Sequence, residues 1–146
     1  MKVFVDANIL IAVLNREYPL YTFAARLLSL SNKKGIQLFT SPLCIAIAFY
    51  FSTKKSGEAV AKNKIELLAE HINLTSPGPD CVKQALKNPQ VQDVEDGMEY
   101  YSALQEGCSY FITENREDFY FSQIKVSGCE EFLRTDLSKN KYKIIV

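Results

Sequence analysis

The strongest constraint on the fold is an alternation between two hydrophobic periods. Short unbroken apolar runs, such as Val3-Phe4-Val5 and Tyr110-Phe111-Ile112, are separated by longer stretches with apolar residues at helical spacing, as in Phe23, Leu27, Leu28 and Leu30. A strand covered by helices on both faces has no solvent side, so it reads as a continuous apolar run rather than an alternating one. The pattern predicts strands over residues 3–5, 36–40, 72–74, 109–113 and 124–126. Helices are predicted over 7–14, 21–31, 42–54, 58–70, 81–86, 95–106 and 129–133. Turn chemistry agrees with these limits: Ser41-Pro42 supplies an N-cap and a first-turn proline, and Gly35 and Gly107 stop the helices before them. On helix 58–70, Val60, Ile65, Leu67 and Leu68 are expected to face inward. Strand and helix in turn imply an α/β class, a three-layer α/β/α sandwich around a parallel sheet of about four or five strands.

A chain of 146 residues fits one domain. Residues 1–135 are assigned to it, and residues 136–146, lysine-rich and then apolar, to a tail that adds an edge strand or docks on a partner. A hydrophobic share of 47% excludes a disordered chain. No apolar run approaches the roughly 20 residues of a membrane span. Asp6 and Asn8 break the stretch where a signal peptide would need its apolar core, so the expected location is cytoplasmic. The 17 basic and 17 acidic side chains cancel, which argues against tight non-specific binding to a phosphate backbone but leaves room for a locally basic groove. Cys44, Cys81, Cys108 and Cys129 are scattered without a close pair, and His71 is the sole histidine, so buried reduced thiols are expected rather than a zinc site.

In an open parallel sheet, ligands bind beyond the carboxyl ends of the strands. Asp6 closes the first strand, Asp96 lies in the first turn of the helix before the fourth, and Asn115 and Asp118 follow the fourth. The predicted topology therefore gathers three distant carboxylates at one edge of the sheet. Clustered carboxylates repel unless a cation lies between them, and oxygen donors suit Mg²⁺ or Mn²⁺. Each residue also has a purely structural alternative. Asp6 is placed to cap the helix after it, Asp96 to be a first-turn acid, and Asp118 to cap a turn. Asn115 suits a turn, and Asn8 a local backbone bond. Glu95 reads best as part of a solvated face.

Four segments in order resemble the PIN-domain family, in particular its small VapC-like bacterial branch. They are Val3-Phe4-Val5-Asp6-Ala7-Asn8-Ile9-Leu10; Thr40-Ser41-Pro42-Leu43; Val91-Gln92-Asp93-Val94-Glu95-Asp96-Gly97 with Tyr100-Tyr101-Ser102-Ala103-Leu104; and residues 108–119, which contain Thr113-Glu114-Asn115-Arg116-Glu117-Asp118-Phe119. The resemblance implies a metal-dependent endoribonuclease that hydrolyses single-stranded RNA with Mg²⁺ or Mn²⁺, water attacking the phosphate in line to leave a 3′ hydroxyl and a 5′ phosphate. By it, Asp6, Asp96 and Asp118 hold the metal, Asn115 assists catalysis, and Asn8, Asp93 and Thr113 support the site. Lys54, Lys55 and Arg116 are the candidate RNA contacts. It further implies a small antitoxin as partner and a homodimer.

One departure stands out. Where relatives place a glutamate early in the third helix, this chain has Ile47, and no acid lies anywhere from Gly35 to Gly57. That favours an alternative reading, a catalytically weakened PIN-like module that binds RNA or a protein partner. A Rossmann-type nucleotide binder would need a glycine-rich loop after the first strand, and Asp6-Ala7-Asn8 supplies none.

Overall fold

The computed structural model describes residues 1–33 and 35–139. Five parallel strands make one sheet: β1 (Lys2–Val5), β2 (Gln37–Thr40), β3 (Asn73–Leu74), β4 (Tyr110–Ile112) and β5 (Lys125–Ser127), in the order β3-β2-β1-β4-β5. The helices are α1 (Ala7–Leu14), α2 (Leu20–Ser29), α3 (Pro42–Ser56), α4 (Glu58–Ala69), α5 (Pro79–Lys87), α6 (Val94–Glu106) and α7 (Cys129–Glu131). The α/β/α sandwich expected from the alternating periods is the observed architecture. Strand order reverses beside β1, which pairs with β2 on one side and with β4 on the other. Such a reversal opens a crevice at the carboxyl ends of the two central strands.

The apolar runs are buried as their continuity demands. Val3, Phe4, Val5, Phe111 and Ile112 are inaccessible to solvent, and the rings of Phe4 and Phe111 stack at 4.9 Å across the β1–β4 pair. Phe119 continues the stack, its ring 4.4 Å from that of Phe111. It anchors a 3-10 turn over Arg116–Phe119 directly after β4.

Helix α4 departs from expectation. Val60 and Leu67 are 47% and 61% exposed, whereas Ala61 and Leu68 are buried. α4 packs on α3 along the line through Ala61 and Leu68, and residues one position earlier are turned away by about 100°. Beyond α7 the chain continues as a wider helical turn over Phe132–Asp136. Asp136 is buried there, its carboxylate accepting from Lys125 Nζ at 2.6 Å and from the Ser127 hydroxyl at 3.2 Å. The edge strand considered for the tail falls mostly on residues 140–146, outside the described residues. Among the described residues, no helix is long and apolar enough to cross a membrane.

Candidate metal centre

Asp6 sits where β1 ends and α1 begins. Its N–H donates to the Ile112 carbonyl at 3.0 Å, tying it to the end of β4. One side-chain oxygen, Oδ1, accepts the Ala7 N–H at 2.7 Å and so caps α1. The other, Oδ2, accepts the Thr113 hydroxyl at 2.7 Å and the Asn8 amide at 3.4 Å. Asn8 also donates to Thr113 Oγ1 at 3.0 Å, and the N–H of Asn115 donates to the same oxygen at 3.1 Å. The carboxyl ends of the two central strands are thus clamped by a polar network centred on a carboxylate that is only 5% exposed. The cap and the metal reading of Asp6 are compatible, because a carboxylate has lone pairs for both.

Asp96 enters from the first turn of α6. Asp93 caps that helix, its Oδ1 accepting the Glu95 N–H at 2.9 Å. α6 can approach α5 closely only because residue 97 has no side chain. A Cβ on Gly97 would lie 2.6 Å from Val91 Cγ1 and 2.8 Å from Ala85 Cβ. The Asp96 carboxyl is raised from its ordinary 3.8 to about 7, first by burial and then by the negative charges of Asp93, Asp6, Asp118 and Glu95. Asp6 and Asp118 therefore lie close enough to Asp96 for their charges to act on it. Asp118 and Asn115 are exposed on the 3-10 turn and its approach. Among the described residues, none of Asp6, Asp93, Asp96 or Asp118 is in an ion pair with lysine or arginine.

Two further residues join this centre that the sequence did not single out for it. Glu99, one turn along α6 from Asp96, is 3% exposed, and its Oε2 has no hydrogen-bond partner. Cys44, at the start of α3, directs its Sγ to 3.9 Å from Asp6 Oδ1. Ligand atoms of Asp6, Cys44 and Glu99 all lie within 4.8 Å of one another, a spacing suited to a metal ion. The Glu99 carboxyl is driven far upward, mainly by burial and then by the charge of Asp6 and a hydrogen bond with it. Burial, reinforced by the charges of Glu99 and Asp6, likewise raises the Cys44 thiol. The signal in the sequence was available: residues three apart share a helix face, and Glu99 interrupts the inward stripe of Gly97, Tyr100 and Ala103. Ile47, on the next turn of α3, is half-buried against the apolar core.

The oxygen-rich donor set and an orphaned buried carboxylate oxygen fit a hard divalent cation. The candidate RNA contacts are less concentrated. Arg116 pairs with Glu131 at 2.6 Å. Lys54 lies over the Tyr50 ring at 4.4 Å, and Lys55 donates to the Asn15 carbonyl. Both lysines are in the last turn of α3, about 15 Å along the helix from Cys44.

Compared by sequence, no curated protein matches this chain. Solved structures do. The chain is similar to a VapBC2 structure from Rickettsia felis bound to a promoter DNA fragment, with TM-score 0.68, 15% identity, and 88% of this chain and 98% of that one covered. It is similar to VapBC-1 of nontypeable Haemophilus influenzae, with TM-score 0.67, 20% identity, and coverage of 89% and 99%. It also resembles VapC20 of Mycobacterium tuberculosis, described as a sarcin-ricin loop cleaving toxin, with TM-score 0.60, 16% identity, and coverage of 75% and 86%. A family model described as PIN domain matches residues 2–117, most of the chain, and this shows that the protein belongs to the PIN-domain family.

Proposed function

We propose that this protein is a metal-dependent endoribonuclease acting on single-stranded RNA, with Asp6, Asp96 and Asp118 as ligands of Mg²⁺ or Mn²⁺ and Asn115 assisting. One observation carries the reading: Asp6 is buried, Asp96 is raised to about 7 first by burial and then by the charges of Asp93, Asp6, Asp118 and Glu95, and among the described residues no lysine or arginine pairs with either acid. A protein that keeps such repulsion at the mouth of its sheet gains from it only when a cation is bound. When bound, a divalent ion supplies charge for the phosphate and a more acidic water. The chain's own residues do the positioning. The Thr113 hydroxyl and the Ala7 N–H fix the rotamer of Asp6, and the Asp93 cap holds the start of α6, the turn that carries Asp96. Asn115, exposed two residues after Thr113, would donate to a phosphate oxygen.

The test is cleavage of single-stranded RNA with Mg²⁺ or Mn²⁺ by the parent, Asp6→Asn and Asp96→Asn. The expected result is cutting by the parent and a loss of about a hundredfold or more in each variant. A parent that cuts nothing, or variants that cut as well as it does, ends the assignment.

The absence of an acid at Ile47 favours a second reading, a PIN-fold module that binds RNA or protein without cutting. Titration with Mn²⁺ separates the two, since no saturable binding at millimolar metal supports the module. The VapBC neighbours support a small antitoxin as partner. Exposed Tyr18, Tyr50, Phe51 and Leu67 leave apolar surface for an antitoxin or a second copy.

A further inference from the structure

We propose that Glu99 is a metal ligand, supplying from α6 the carboxylate that α3 lacks at Ile47. The inference rests on the metal-dependent reading above and names a residue that the family resemblance did not assign. Three observations carry it. Glu99 is 3% exposed, yet Oε2 has no hydrogen-bond partner, which is costly for a polar atom unless something else meets it. Its carboxyl lies within 4.8 Å of ligand atoms on Asp6 and Cys44, and two oxygens on one Mg²⁺ or Mn²⁺ are about 3 to 4 Å apart given metal–oxygen distances near 2.1 Å. No lysine or arginine among the described residues pairs with it.

Packing alone does not account for an acid here. The neighbours of Glu99 on the buried face of α6 are Gly97, Tyr100, Ser102 and Ala103, and its closest polar companions are another carboxylate and a thiol. A methionine of similar shape would fill the space with no polar atom left unmet, whereas Glu99 hydrogen-bonds Asp6 and still leaves Oε2 without a partner. Glu99 is one helical turn from Asp96, so the two acids approach one centre along the same face of α6. Loss of the acid on α3 leaves the ligand charge intact, carried on a different element.

Metal binding is measured directly, by following free Mn²⁺ by electron paramagnetic resonance as metal is added to the parent, Glu99→Gln, Glu99→Met and Asp6→Asn. Thermal unfolding of each metal-free protein is recorded alongside. The expected result is a loss of Mn²⁺ affinity of about tenfold or more in both Glu99 variants, together with an unchanged or higher melting temperature without metal. These opposite signs distinguish a ligand from a structural acid, whose removal leaves Mn²⁺ binding alone. Tight binding retained by folded Glu99→Gln and Glu99→Met overturns the assignment. If Asp6→Asn loses the metal while they keep it, Glu99 alone is misassigned. If the parent does not bind Mn²⁺ at millimolar concentration, both this inference and the metal-dependent reading fall.

Discussion

At the residue scale, the centre is built from groups that oppose one another until a counter-charge arrives. Asp96 is raised from 3.8 to about 7, so the folded protein holds a proton across that window that the unfolded chain gives up. An acid raised on folding favours the native state at low pH, and this contribution is lost as pH rises through the folded value. Glu99 is shifted in the same direction. The metal-free protein is therefore expected to melt at a higher temperature near pH 5.5 than near pH 7.5, and saturating Mn²⁺ should remove or reverse that difference. Differential scanning calorimetry at both pH values checks it. Thr113 is the second residue-scale test. Its hydroxyl donates to the buried Asp6 Oδ2 and accepts from the half-buried Asn8 amide and from the Asn115 N–H. Thr113→Val should cost about 1–3 kcal/mol in urea unfolding and weaken any RNA cleavage, because the Asp6 oxygen it leaves unmet stays buried.

Element by element, the segments that carry Asp96 and Asp118 are set by steric and apolar contacts. Gly97 sets the approach of α6 to α5, since a Cβ there would meet Val91 and Ala85 at under 3 Å. Gly97→Ala should cost about 1–3 kcal/mol as measured by chemical denaturation, although alanine is the better helix former. A gain in stability would show that the two helices part without penalty. Phe119 does the same for the turn that carries Asp118. It is 2% exposed and stacked on Phe111, so Phe119→Ala should cost about 3–5 kcal/mol and release the turn. Faster amide exchange across residues 114–120 than in the parent would report that release.

For the molecule as a whole, the parallel sheet with helices on both faces explains the sulfur chemistry. Cys44, Cys81, Cys108 and Cys129 are all free and buried, and burial raises the Cys108 and Cys129 thiols to about 12. A thiol reagent at neutral pH should thus find almost no reactive cysteine in the native protein and all four after denaturation, and stability should not depend on reductant. Rapid labelling of the native protein would contradict the buried placement.

The sequence by itself determined the elements and their order. Val3-Phe4-Val5 and Tyr110-Phe111-Ile112 have no polar face to offer water, so they become central strands. Asp6 and the segment after Ile112 then necessarily end at one edge, because all strands run the same way. Only the tertiary structure decided which side chains fill that edge from the helices. α3 presents Cys44 to Asp6 from its first turn, where Ser41 caps the helix, and Val60 and Leu67 turn outward because α4 meets α3 along the neighbouring line. Glu99 lies in the sequence on the inward stripe of α6, but the stripe alone does not say what it meets. Its burial against Asp6 follows from how α6 settles over the sheet, since a helix face becomes an inside or an outside only when something packs against it.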